Sequence, residues 1–361
     1  MKRNIYLKTI PPAEAVARVK ASIDREALIR EETIPAHEAS GRVLAHAVHA
    51  RYSSPTFHSA AMDGYAVNAR STFAAREGHP LTLKAGETCF AVNTGHPMPE
   101  GCDAVIMIEQ VVLDGGSVTI EAPAFPWQHV RRIGEDIVAT ELLFPRNHQL
   151  RPWDVGALLS GGIWDVPVWE RVTVRIIPTG DEVLDFTTHP DPGKGQVVES
   201  NSQMLAALAR ELGCVVERAA PVPDNPEALH QALKDSLDAG RHLTIFCAGS
   251  SAGSKDFTRA TLEKEGEILT HGIAAMPGKP SLLANCRGRL VAGAPGYPVS
   301  ALVCFKELLE PLISWLSHRE PPAKTVVPVE LTRTVPSRPG VEEHVRVSIG
   351  RVGDKLVATP L

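Results

Sequence analysis

Apolar residues recur at two different periods along this chain, and the change from one to the other divides it. Residues 11–36 open at helical spacing, with Ala13, Ala15, Val16, Val19 and Ile23 forming one stripe and Pro35 marking a stop. Between about residues 46 and 145 the period shortens to two. "YAVNA", "AVIMIEQVVL" and "SVTIEAPA" alternate apolar and polar positions between Gly, Pro and Asp, which predicts a small antiparallel β domain. "RPWDVGALLSGGIWDVPVW" then returns to helical spacing.

From residue 171 one unit repeats: an apolar strand, a turn, an amphipathic helix. "RVTVRIIPTGDE", "CVVERAAPV", "HLTIFCAGSS" and "RLVAGAPGYP" are the strands. "SNSQMLAALARELG" is a helix capped by Ser200 or Asn201 and stopped by Gly213. "NPEALHQALKDSL" is another, with Asn225 as N-cap and Pro226 behind it. "FTRATLEKEG" and "PVSALVCFKELLEPLISWL" complete the set. Alternation of this kind implies a parallel, doubly wound sheet, and right-handed crossovers put every strand-to-helix turn on one edge of it. Ligands bind at that edge, so "PTGDE", "CAGSSAGSKD" and "APGYPVS" should converge. After "EPPAK", residues 326–361 read as short strands of a small β module.

The length of 361 residues exceeds one ordinary core and predicts several domains. A hydrophobic content of 43% and a charged content of 22% describe a soluble globular chain. The net charge of −5 argues against general affinity for nucleic acid or an anionic membrane. The basic start, "MKRNIYLKTIPP", has no sustained apolar run behind it, so no signal peptide is expected, and nothing approaches the ~20 apolar residues of a spanning helix. The six scattered cysteines contain no CxxC pair, and Cys214, Cys247, Cys286 and Cys304 lie in apolar runs. That pattern fits reduced core thiols in the cytoplasm.

Candidate chemistry collects in the turns. "AGSSAGS" at 248–254 lies between a strand and a helix, where exposed N–H groups and the hydroxyls of Ser250, Ser251 and Ser254 form either a phosphate cradle or a plain βα loop. "APGYPVS" places Pro298 and Ser300 in a first helical turn, as a turn or as a second anion contact. Asp181, Glu182, Asp224 and Asp256 lie in or beside turns of the sheet domain, where carboxylates facing a phosphate imply a bridging hard cation such as Mg²⁺. In the β domain, "SAAMDGYAV" carries Asp63 and "RRIGEDI" carries Arg131, Arg132, Glu135 and Asp136; Asp-Gly is also a common turn pair. Lys279 is a single cation set between Gly278 and Pro280.

Seven stretches occur in this order: "SAAMDGYAV", "NTGHPMPEGCDAVIMIE", "RRIGEDI", "PTGDEV", "ESNSQML", "HGIAAMPGKP" and "APGYPVSALVCF". Together they resemble the molybdopterin molybdotransferase family, the MoeA and gephyrin E-domain type, over nearly the whole chain. The resemblance implies an α/β multidomain protomer: a helical domain from 1–45 and 146–170, a β domain at 46–145, a MogA-like doubly wound domain at 171–319 and a short C-terminal β domain at 320–361. It implies a homodimeric, cytoplasmic transferase. Such an enzyme inserts molybdate, or tungstate, into adenylylated molybdopterin with release of AMP, assisted by Mg²⁺, in a cleft between the sheet domain of one subunit and the β domain of the other. The cofactor would then pass to a molybdoenzyme or another biosynthetic protein. By the same resemblance Asp63, Asp136, Glu182, Asp256 and Lys279 are catalytic. Glu182, Asp224 and Asp256 hold the metal, and Thr94, Asp224, Ser250, Ser251, Ser254, Pro298 and Ser300 bind substrate. Lys279, fixed by its neighbours, would meet the oxyanion at a preset site. The chain departs from the family pattern at Met276, where the KPGKP stretch has its first lysine, and in "AGSSAGSKD", which stands for "GGVSVGD". His58, Ser59 and Ala60 also replace Asp-Asn-Ser, and "GYP" replaces "GNP". A MogA-like adenylyltransferase and a non-catalytic pterin-binding scaffold are the alternatives.

Overall fold

The computed structural model of this protein describes residues 8–247 and 257–361. The chain divides into two compact units, Thr33–Val168 and a second made of Met1–Glu32 with Trp169–Leu361.

In the first unit the period of two becomes two antiparallel three-stranded sheets. Gly64–Val67 is the central strand of one, between Cys89–Val92 and Ala104–Met107. Ser117–Ile120 is central in the other, between Leu81–Lys84 and Val111–Asp114. Alternation buries both faces of the first sheet. Val67, Ala104 and Ile106 join one apolar cluster with Leu83, Val118 and Ile120, while Ala66 and Val105 join another with Ala60 and Val130. The helix Pro152–Ser160 packs Leu158 into a third cluster with Ala36, Leu44, Leu150 and Val166.

The second unit holds the repeating strands and helices: β1 (Thr173–Pro178), α1 (Asn201–Glu211), β2 (Val215–Arg218), α2 (Pro226–Asp238), β3 (Leu243–Cys247), α3 (Phe257–Glu265), β4 (Gly266–His271), β5 (Leu282–Cys286), β6 (Arg289–Ala294) and α4 (Pro298–Cys304). They build a six-stranded sheet of order β2-β1-β3-β6-β5-β4. Strands β2, β1, β3 and β6 are mutually parallel. The expectation of a wholly parallel sheet is corrected at the far edge, where β5 runs antiparallel to both β6 and β4. That edge escaped the sequence reading because the β5–β6 hairpin turns on Arg287, an arginine at φ 53°, where Asn or Asp is the usual signal.

The expected helix over 11–36 is shorter. Pro12–Ser22 buries Ala15, Val16 and Val19; Asp24 then caps a separate turn through the Ala27 N–H at 3.1 Å, and Glu31–Pro35 is extended. α4 runs on through a π turn, Phe305–Leu309, into Glu310–Leu316. Pro311 has no N–H to return to the Glu307 carbonyl, and its ring would crowd that carbonyl; widening the preceding turn relieves both conflicts. The C-terminal strands are present as expected. Val347–Val352 and Lys355–Pro360 form a hairpin, with Glu330–Leu331 beside the latter, and Glu342–Glu343 pairs with Ala275–Met276. All six cysteines are free; Cys102 is half-buried and the other five are buried. Burial pushes the thiols of Cys214 and Cys286 up to about 12. No helix among the described residues is long and apolar enough to cross a membrane.

Candidate functional site

In the β unit, Asp63 leaves the start of the central strand. Its carboxylate oxygen accepts the Thr94 backbone N–H at 2.6 Å and the Thr94 hydroxyl at 2.9 Å. These two donors, the backbone one first, hold the exposed carboxyl below its ordinary range against the opposing effect of burial, with a lesser contribution from the imidazole of His96. Gly64 makes the Asp63 turn possible. A Cβ there would lie 2.0 Å from the Ile106 carbonyl oxygen. The Thr94 turn is fixed from the other side, since Gly95 N–H donates to the Ala60 carbonyl at 2.8 Å and Ala60 N–H to the His96 carbonyl at 2.9 Å.

The second acidic stretch of this unit reaches the same neighbourhood. Val130–Arg131 pairs with Ser59–Ala60, and Ile133 N–H donates to His58 Nδ1 at 3.1 Å. Asp136 N–H then donates to the Ser54 carbonyl at 3.0 Å. Residues 54–63, 93–98 and 130–137 are therefore one continuous hydrogen-bonded surface. Within the stretch, Glu135 is taken by Arg131 at 3.1 Å and by the Arg132 N–H at 3.0 Å. The exposed carboxylate of Asp136 has no hydrogen bond or ion pair among the described residues.

The sheet unit supplies a second group. Beyond β1, Thr179 donates through N–H and hydroxyl to the Cys247 carbonyl at 3.0 and 3.1 Å, and Gly180 N–H donates to the Val222 carbonyl at 3.1 Å. The turns after β1 and β2 thus meet at the carboxyl edge beside the end of β3. Asp181 accepts the Asp224 N–H at 3.1 Å. Glu182 folds back over Gly180, whose φ is +135°; a Cβ there would stand 2.9 Å from Glu182 Oε2. The loop that follows β3, with Ser250, Ser251, Ser254 and Asp256, lies outside the described residues.

Lys279 sits in a loop closed by Gly272 N–H to the Ser281 carbonyl (2.8 Å) and Ile273 N–H to the Lys279 carbonyl (2.9 Å). Its side chain is exposed, with no ion pair among the described residues. A side chain at Gly278 would come within 3.2 Å of Val303 and 3.6 Å of the Ser300 carbonyl, so the lysine loop lies against the first turns of α4, where Pro298 and Ser300 sit. Met276 turns elsewhere. It lines a cleft of about 570 Å³ with Arg333, Glu343 and His344, and its sulfur is 3.9 Å from the Arg338 guanidinium.

Glu199, Ser202, Arg218 and Asp185, none of them singled out from sequence, complete this edge together with Asn201. Glu199, buried, accepts the Ser202 N–H at 2.7 Å and the Ser202 hydroxyl at 2.5 Å, and so caps α1 where Ser200 or Asn201 was expected to. Asn201 instead donates to the Gly296 carbonyl at 2.7 Å and ties the turn after β6 to α1. Arg218 bridges Glu199 at 3.5 Å and Asp185 at 3.1 Å. A carboxylate three residues before a helical N–H is a readable cap signal; the arginine that neutralises it comes from another strand and carries no local signal.

Residues 10–162 match the family described as MoeA N-terminal region (domain I and II), and residues 175–315 the family described as probable molybdopterin binding domain. The chain is 34% identical over 309 residues to a molybdopterin molybdenumtransferase of Haemophilus influenzae, a match spanning 80% of this chain and 74% of that protein. It is 34% identical over 308 residues to molybdopterin molybdenumtransferase 2 of Mycobacterium tuberculosis, covering 78% of this chain and 74% of that one. Among solved structures, the molybdopterin biosynthesis MoeA protein of Pyrococcus horikoshii superposes with a TM-score of 0.79 at 29% identity, over 98% of this chain and 90% of that chain.

Proposed function

Because this chain belongs to the molybdopterin molybdenumtransferase (MoeA) family, we propose that it is the transferase that inserts molybdate or tungstate into adenylylated molybdopterin, releasing AMP, in molybdenum cofactor biosynthesis. The carboxylate edge of the sheet unit carries this reading: Glu182 is folded over Gly180 and the Asp181–Asp224 contact joins two turns there. Such hard oxygen donors suit Mg²⁺, and Glu182 and Asp224, with Asp256 from the adjoining loop, would hold it. Bound there, the ion would neutralise phosphate charge next to the bond that is cleaved.

The chain's own groups divide the remaining work. Lys279 presents a cation to the oxyanion, and Pro298 and Ser300 lie in the first turn of α4 beside it, where Ser300 adds a hydroxyl donor. The serines of the 248–254 loop add donors for the nucleotide phosphate. Asp63, kept ionised by Thr94, orients the pterin side of the substrate, and Asp136 is free to accept the proton of the water that attacks phosphorus. The enzyme is assigned to the cytoplasm as a homodimer.

The test is AMP release from adenylylated molybdopterin with Mg²⁺, in the presence and absence of molybdate or tungstate. Release that requires the oxyanion is the expected result. Adenylylation of free molybdopterin from ATP would identify the adenylyltransferase alternative instead, and binding without turnover would identify a scaffold. Asp256→Ala and Glu182→Ala should each lower AMP release by at least about 100-fold while leaving the circular dichroism spectrum unchanged.

A further inference from the structure

The geometry points to a second cation site, distinct from the carboxylate edge, in which Glu307, Glu342 and His344 bind a divalent transition metal such as Zn²⁺ and fasten the C-terminal strands to the last long helix. One ligand atom from each of these three side chains lies within 4.8 Å of the other two. Around a tetrahedral ion with bonds of about 2.1 Å the ligand atoms stand about 3.4 Å apart, so rotamer adjustment alone closes the set.

The three residues reach this point from two elements. Glu342 and His344 are two apart on an extended segment, which puts them on one face, while Glu343 between them approaches Arg338 at 3.8 Å. The segment is pinned, since Glu342 N–H donates to the Ala274 carbonyl and His344 N–H to the Met276 carbonyl, both at 2.8 Å. Glu307 comes from the π turn and is followed by the buried Leu308 and Leu309.

A second observation is independent of the clustering. His344 Nε2 is buried and has no hydrogen-bond partner. A buried imidazole nitrogen left unsatisfied is costly, and a metal beside two carboxylates satisfies it. Imidazole with carboxylate is a donor set for Zn²⁺ and its neighbours, whereas the all-oxygen edge at Glu182 suits Mg²⁺. The cation now beside Glu307 is Lys324, whose Nζ lies 3.0 and 3.4 Å from its two oxygens. Lys324 is 69% exposed and can withdraw into solvent, so it competes with the metal.

Calorimetric titration of the chelator-treated full chain with Zn²⁺ tests the site, with Co²⁺ absorption reporting coordination. Wild type should show one Zn²⁺ site that His344→Ala and Glu307→Gln each weaken by at least about tenfold. Zn²⁺ should raise the melting temperature of wild type and not of these variants. Lys324→Ala should bind Zn²⁺ more tightly than wild type. All three variants should keep Mg²⁺-dependent AMP release, which shows that they fold. Unchanged Zn²⁺ affinity in His344→Ala, or no Zn²⁺ uptake by either wild type or Lys324→Ala, would overturn the proposal.

Discussion

Asp63 shows how a backbone constraint and a chemical role share one dipeptide. Read as sequence, Asp63-Gly64 is both a turn pair and a family motif. The structure gives the glycine a separate reason, since any Cβ would meet the Ile106 carbonyl at 2.0 Å. Gly64→Ala should therefore destabilise the β unit by about 3 kcal/mol or more, read from denaturant midpoints, because the obstructing atom is backbone in a central strand pair. The acid's state depends on Thr94. The folded carboxyl is held below its ordinary range, so ionisation favours the folded form above that range and the advantage disappears as pH falls through the lowered value. Thr94→Val removes one of two donors and should move the Asp63 titration upward, as seen by carboxyl carbon NMR; an unmoved titration would mean that the backbone N–H alone sets it. That Asp63, Asp224 and Lys279 lie in turns or loops was legible because motif and turn chemistry coincide on them. Glu199 and Arg218 were not, because burial and pairing across strands leave no mark on neighbouring residues.

Helices and strands were readable in proportion to their local signals. Asn225-Pro226 predicted a helix start, and Asn225 does accept the Ala228 N–H at 2.7 Å. Asn225→Ala should cost about 1 kcal/mol and, by loosening the turn that carries Asp224, raise the Mg²⁺ concentration that AMP release requires. The strands β4 and β5 went unread because each is a short apolar run joined through turns without Gly-Asn or Asp-Gly punctuation. The helix Pro152–Ser160 was expected, but what anchors its start was not. Asp154, 3% exposed, accepts the Arg151 N–H at 2.9 Å and meets the Arg151 guanidinium at 3.1 Å and His148 at 2.7 Å. Burial alone would raise its carboxyl; the Arg151 contacts, backbone and side chain, with His148, outweigh it and hold the group at about 2 instead of 3.8. The stabilisation, about 2 kcal/mol, is complete above the ordinary value and is lost as pH falls from there through about 2. Wild type should therefore exceed Asp154→Asn in stability at pH 6 by about that much, and the difference should shrink at pH 2; a difference independent of pH would assign Asp154 a packing role instead.

Assembly is the level at which a single chain's sequence says least, because a two-fold axis leaves no periodicity in it. What can be read is that the candidate residues fall into two sets, Asp63, Thr94 and Asp136 on one compact unit and Glu182, Asp224, Lys279 and Ser300 on the other. The proposed homodimer, with each site completed by the β unit of the partner, makes a quantitative demand on these sets. Asp63→Ala and Glu182→Ala homodimers would both be inactive, since every site carries one lesion. A heterodimer of the two would carry both lesions in one site and none in the other. Random mixing of equal amounts makes half the dimers heterodimeric with one intact site of two, so activity should return to about a quarter of wild type. If each site were built within one chain, every site would retain a lesion and mixing would restore nothing. Co-expression of the two variants with different affinity tags, tandem purification of the heterodimer and measurement of AMP release decides between these outcomes, because the purified heterodimer should show about half of wild-type activity per dimer in the first case and none in the second.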